Sequence, residues 1–217
     1  PVVNIIGSEG NGIYGAAFNI YNIMLVLSSY GLPMAVSKLV SARFTKRRYK
    51  SAAKVLRCSL MVAVCTGGIA ALLVFFGASF IENVIYGGGL PGLAIPLRIL
   101  APTIFLVAIL GVIRGFFQGQ STMIPTAVSQ ILEQIVNAIV SIAAGYGMMK
   151  AFASSPDVAA YGAAGSTLGT AMGALTAVLF MGFLYAVYTP TFNRLKRKDR
   201  HTENQSTGQI CKIIIYT

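Results

Sequence analysis

Glu133 lies within an otherwise uncharged apolar stretch, Pro125 to Met149, and four polar side chains share its helical face. Thr126, Gln130, Glu133, Asn137 and Ser141 recur at spacings of four, three, four and four. On an α-helix those spacings make one stripe, with Gln134 beside it. By rise, the carboxyl sits about 12 Å in from the start of the helix. An ionised carboxylate facing hydrocarbon there costs at least about 2.5 kcal/mol, so the stripe must face protein or water. Two roles fit: a substrate or ion pathway, or contact between helices with Glu133 protonated or paired to an arginine. Catalysis is the poorer reading. The chain has no nucleophile triad, metal-ligand spacing or Gly-rich phosphate loop, and its single histidine, His201, lies in a basic tail. No metal or cofactor is expected.

Further polar residues interrupt other apolar stretches. Asn19, Asn22 and Ser29 form a weaker stripe, with Tyr14 and Tyr21 nearby, and it runs into Gly31-Leu32-Pro33. Pro33 has no N–H, so the Ser29 carbonyl loses its helical partner and a kink or break is expected. Arg98 and Arg114 stand near the two ends of a third stretch that also holds Pro96 and Pro102. Two placements are open to Arg98: snorkelling outward, or entering a central cavity as the counter-charge of an anionic group.

The elements that carry these residues are membrane spans. Hydrophobic residues make up 55% of the 217 residues, and the mean hydropathy is +0.71. Five stretches are each long enough, at roughly 20 helical residues, to cross a hydrocarbon core. A soluble domain of this length would not bury five. The expectation is an all-α integral membrane protein with five transmembrane helices, at about 13–37, 58–81, 94–115, 125–149 and 162–188. Residues 1–12 then form an outer segment, 13–193 the bundle, and 194–217 a basic cytoplasmic tail with the start of a further helix.

Charge orients the spans. Lys and Arg crowd the connection from Lys38 to Arg57 and the tail from Arg194 to Arg200, while Glu82 to Leu93 holds none. The positive-inside rule puts the basic segments in the cytoplasm. The net charge of +11 sits in these segments, so anionic membrane lipids are the expected partners and nucleic acid is not. Pro1 then falls on the outer face with no signal peptide before it, and Lys212 to Thr217 is an apolar run too short to span. The chain reads as a fragment of a longer polytopic protein, the alternative being a complete small one. Cys58 and Cys65 are seven apart on one helix and too far apart for a disulfide; with Cys211 they read as free thiols. Gly87-Gly88-Gly89 reads as an outer turn. Gly165, Gly169 and Gly173, at four-residue spacing, read as a ridge for close helix packing, and Tyr185 and Tyr188 as an inner aromatic belt.

Four strings together resemble the stage V sporulation protein B-like family. They are Gly7-Ser8-Glu9-Gly10-Asn11-Gly12-Ile13-Tyr14, Gly31-Leu32-Pro33-Met34-Ala35-Val36-Ser37-Lys38-Leu39-Val40, Arg114-Gly115-Phe116-Phe117-Gln118-Gly119, and Pro125-Thr126-Ala127-Val128-Ser129-Gln130-Ile131-Leu132-Glu133-Gln134-Ile135-Val136. The likeness covers about residues 4 to 150 and departs at Asn137, where relatives often carry Arg. It implies membership of the multidrug/oligosaccharidyl-lipid/polysaccharide flippase superfamily. That in turn implies a MATE-like bundle, alternating access, and a second helical bundle as partner. The implied cargo is a polyprenyl-diphosphate-linked saccharide for cell-wall, spore-wall or polysaccharide synthesis. Candidate pathway residues are Asn19, Asn22, Arg98, Arg114, Gln130, Glu133 and Asn137: cations for the diphosphate, and polar faces such as Gln130 and Asn137 for sugar. Two alternatives stay open: a cation-coupled multidrug exporter of the same superfamily, with Glu133 as ion site, and a membrane scaffold of wall synthesis that transports nothing.

Overall fold

The computed structural model describes residues 2–28, 31–87, 89–153 and 157–199, with 208, 210, 213 and 214 of the tail; no side chain is described for residues 2–6 and 9. Ser29, Gly88, His201 and Cys211 lie outside the described residues. Among the described residues there are only helices and turns. The helices are α1 (Val2–Ser28), α2 (Gly31–Thr45), α3 (Tyr49–Phe80), α4 (Ala94–Gln118), α5 (Ile124–Ala151) and α6 (Val158–Lys198), and a π-helical turn, Ile81–Ile85, continues α3. Among the described residues, five helical units are long and apolar enough to cross a membrane, α1 and α2 together making one, Gly10–Thr45. Large apolar side chains such as Leu27, Phe76, Ile139 and Leu179 stand on the outside. In water such a surface would drive aggregation; in lipid it faces its own solvent. The chain is an all-α integral membrane protein.

The helices outrun the charge-free stretches. Most of the basic cluster from Lys38 to Arg57 belongs to α2 and the first turns of α3, and only Lys46–Arg48 separates them. Lys and Arg are good helix formers, so charge limits the part of a helix that lipid can cover without ending the helix. For the same reason α6 runs on to Lys198. Its 41 residues span about 60 Å, twice the hydrocarbon thickness.

The break expected before Pro33 concerns the Ser29 carbonyl, and residues 29 and 30 lie outside the described residues. α1 is described to Ser28 and α2 from Gly31, and the two count as one membrane-spanning unit, Gly10–Thr45.

Two glycine ridges set the spacing of the bundle. On α6, a Cβ at Gly165 would stand 2.5 Å from Ala144 O, and one at Gly173 would stand 2.7 Å from Glu133 O; Gly169 lies against Ser141 between them. The ridge read from the sequence therefore packs on α5. The second ridge is Gly111, Gly115 and Gly119 on α4, which packs on the start of α2. A Cβ at Gly111 would lie 2.9 Å from Pro33 Cγ, at Gly115 2.5 Å from Pro33 O, and at Gly119 2.8 Å from Ser37 O. Close approach of backbones replaces the missing hydrophobic drive between helices in lipid.

The two ends of the bundle differ. At the basic end, Phe44, Phe116 and Phe192 meet ring to ring, with centroids 5.4 to 6.4 Å apart. Tyr185 and Tyr188 join this cluster through Phe116 and Phe117; the belt expected of them is in part an internal aromatic core. Ile210 and Ile214 of the tail are buried against the same cluster. Asp199 accepts the Lys50 N–H at 2.9 Å, supplying an acceptor to the first turn of α3. At the opposite end, the Glu82 carboxylate accepts the N–H groups of Gly92 (3.0 Å) and Ala94 (2.7 Å), so it caps α4.

Candidate functional site

α1, α4 and α5 do not close on one another near the basic end. Between them lies a cleft of about 390 Å³. One wall is apolar, from Tyr21 and Leu25 of α1, Pro33 at the start of α2, and Val107 of α4. The other is polar, from Arg114 and Gln118 of α4 and Thr126, Gln130 and Glu133 of α5. A second groove, of about 480 Å³, shares Pro33 and Gln118 with the cleft and adds Ser37, Lys38 and Ser41 of α2.

The polar wall is organised around one ion pair. Arg114 Nη2 donates to Glu133 Oε2 at 2.8 Å, and Arg114 Nε donates to Ser129 Oγ at 2.9 Å. Ser129 Oγ in turn donates to the Thr126 carbonyl at 2.8 Å. The side chains of Arg114 and Glu133 are only 15% and 21% exposed. Charges this sheltered are tolerable only when paired, so each holds the other in place. Packing positions both. Gly111 and Gly115 seat the α4 backbone around Arg114 against Pro33, and Gly173 seats the Glu133 carbonyl against α6. Thr126 is 6% exposed, and its Oγ1 has no hydrogen-bond partner among the described residues.

The seven candidates do not stay together. Arg114, Gln130 and Glu133 meet in the cleft. Asn137 leaves the stripe for the α5–α6 seam. Its side chain lies under Gly173, and Ser141 Oγ sits 2.9 Å from Asn137 Oδ1 while donating to Ser166 O at 2.8 Å. A helix of 3.6 residues per turn drifts around its axis over fifteen residues, so one stripe can serve two neighbours. Arg98 is exposed, and its Nη2 donates to Ser79 Oγ at 3.0 Å on α3. It stands away from the cleft, toward the end where Glu82 caps α4. Asn19 and Asn22 are exposed on α1 and outside the cleft lining. Sequence reasoning passed over Gln118, Ser129 and Lys38 as site residues. The four-residue spacing of Gly111, Gly115 and Gly119 was the available signal that this part of α4 is a contact face.

The described residues thus define a membrane-spanning helical bundle with a polar, ion-paired cleft within it. The family model for polysaccharide biosynthesis protein matches residues 1–208, and the chain belongs to that family. It is 34% identical over 158 residues to the lipid II flippase MurJ of Bacillus subtilis, covering 70% of this chain and 29% of that protein. It is 30% identical over 182 residues to stage V sporulation protein B of the same organism, covering 83% of this chain and 33% of that protein. An uncharacterized membrane protein of that organism, YabM, is 28% identical over 219 residues, covering 100% of this chain and 38% of that protein. The chain thus spans about a third of the length of these curated relatives. No solved structure matches it.

Proposed function

We propose that the chain forms part of a flippase that moves a lipid-linked saccharide precursor across the cell membrane for cell-wall, spore-wall or polysaccharide synthesis. The observation that carries this reading is the cleft beside Arg114 and Glu133, a sheltered polar surface inside the spanning bundle of a chain similar to a lipid II flippase. Its apolar wall and the open side of the bundle suit a cargo whose lipid tail stays in the bilayer while its headgroup crosses. The basic ends of α2, α3 and α6 lie in the cytoplasm under the positive-inside rule and rest against anionic lipid headgroups. A second bundle in the complete protein closes the cavity, and the two rock against each other. A cation-exporter role for Glu133 is less well supported, since an arginine already occupies its carboxylate.

The test is Glu133→Gln in the full-length protein, reconstituted in liposomes with a fluorescent lipid-linked saccharide. Gln keeps size and hydrogen bonding but removes the charge that balances Arg114. The expected result is a folded, inserted protein whose flipping rate falls at least about tenfold, the effect of roughly 1.4 kcal/mol. Flipping at the wild-type rate removes Glu133 from the pathway.

A further inference from the structure

The cleft and the groove beside it differ in charge although they share two residues. In the cleft, the positive charge of Arg114 is already met by Glu133 at 2.8 Å, so the surface is neutral. In the groove, Lys38 stands with the hydroxyls of Ser37 and Ser41, and among the described residues no carboxylate lines it. Building on the flippase reading, we propose that the cleft is the subsite for an uncharged sugar ring of the cargo, and that the diphosphate lies in the groove at Lys38. Arg114 is then a sugar contact and not an anion anchor.

An anion entering the cleft would meet the Glu133 carboxylate at close range and would have to displace it from Arg114, losing a charge-assisted hydrogen bond. A neutral polyol meets no such penalty. The cleft offers what hydroxyl groups need, which is donors and acceptors in mixture. The amides of Gln118 and Gln130 each supply both, and the guanidinium of Arg114 has five N–H groups, of which Glu133 and Ser129 take two. Thr126 Oγ1, buried and without a partner among the described residues, is a group whose desolvation is uncompensated there. Across from it, Tyr21, Leu25 and Pro33 give an apolar wall of the kind that packs on the C–H face of a pyranose. The volume of 390 Å³ is at the low end of the roughly 300–1,000 Å³ of small-molecule sites, so it suits a sugar unit and not a long glycan. Gln118 and Pro33 line both spaces, so a sugar and the diphosphate attached to it can occupy them side by side.

The experiment compares two lipids on the full-length protein in nanodiscs: undecaprenyl diphosphate, and the same lipid carrying one N-acetylhexosamine. Gln130→Ala with Thr126→Val should weaken the sugar-bearing lipid about tenfold, as expected for lost hydrogen bonds, and leave the bare diphosphate within about twofold. Gln130 is exposed on the cleft wall, so Gln130→Ala alone serves if the pair does not fold. Glu133→Gln should tighten the bare diphosphate several-fold, because Arg114 then carries uncompensated charge. Lys38→Gln should weaken both lipids. Equal weakening of both lipids by Gln130→Ala, or of neither, overturns the sugar subsite while the flippase reading stands. A wild-type protein that binds neither lipid overturns the flippase reading itself and the subsite with it.

Discussion

Adding a single methyl group at Gly169 should separate α5 from α6, and the cost can be worked from the contacts. A Cβ there would collide with Ser141 Oγ and stand 2.6 Å from Ser141 N and 2.7 Å from Asn137 O. Comfortable contacts of this kind lie near 3.5 Å, so the shortfall is about 1 Å, and two of the atoms are backbone that no rotamer change can move. Overpacking of this sort costs about 1–3 kcal/mol. Displacing the Ser141 hydroxyl from Ser166 O adds about 1 kcal/mol. Alanine is worth about 1 kcal/mol more than glycine in a helix, which opposes the loss. Gly182 provides the control on the same helix, since a Cβ there has nothing within 4 Å. Gly182→Ala feels propensity alone, and subtracting it leaves about 2–4 kcal/mol for the clash. In a chain of this size that is a difference of roughly 4–16 °C in Tm. Thermal unfolding of the two variants in detergent measures it. If Gly169→Ala melts with Gly182→Ala, the ridge does not pack on α5, and the positioning of Glu133 by Gly173 loses its basis.

Two further outcomes are expected. Glu133→Leu should lower stability by about 3 kcal/mol, the lower part of the range for breaking a sheltered ion pair, because Arg114 is left uncompensated. Glu133→Leu combined with Arg114→Met should recover most of that loss, and strictly additive single and double variants in detergent unfolding would show that the pair is not coupled. In a Cys-free background, Pro91→Cys should react with a membrane-impermeant thiol reagent on intact cells and Lys46→Cys only after permeabilisation; the reverse pattern would invert the orientation drawn from charge.

How far the sequence reached can be seen in α5. The stripe from Thr126 to Ser141 was legible as a polar face, and so was the need to keep Glu133 away from lipid, because both follow from helical period and solvation cost. An arginine partner for that face was one of the two readings, but which arginine was not legible. Arg114 is nineteen residues away, on another helix, and its sequence context gave only an arginine near a membrane end. The same stripe also turned out to serve two neighbours, Arg114 for Glu133 and α6 for Asn137 and Ser141. Which residue meets which depends on the angular placement of whole helices.

What the sequence by itself determined is whatever lipid enforces: helical spans, their number, a sheltered carboxylate, and close packing at the α6 glycines. These are local, because in hydrocarbon each segment must satisfy its own backbone and hide its own charges. The tertiary structure alone decided which of the scattered polar residues share one space. It gathered Arg114, Gln130 and Glu133 and left Asn19, Asn22 and Arg98 outside. Helix rotation and spacing fix that choice, through backbone contacts such as Gly115 on Pro33 and Gly173 on Glu133. Those contacts join residues far apart in the chain, and no periodicity within a single helix records them.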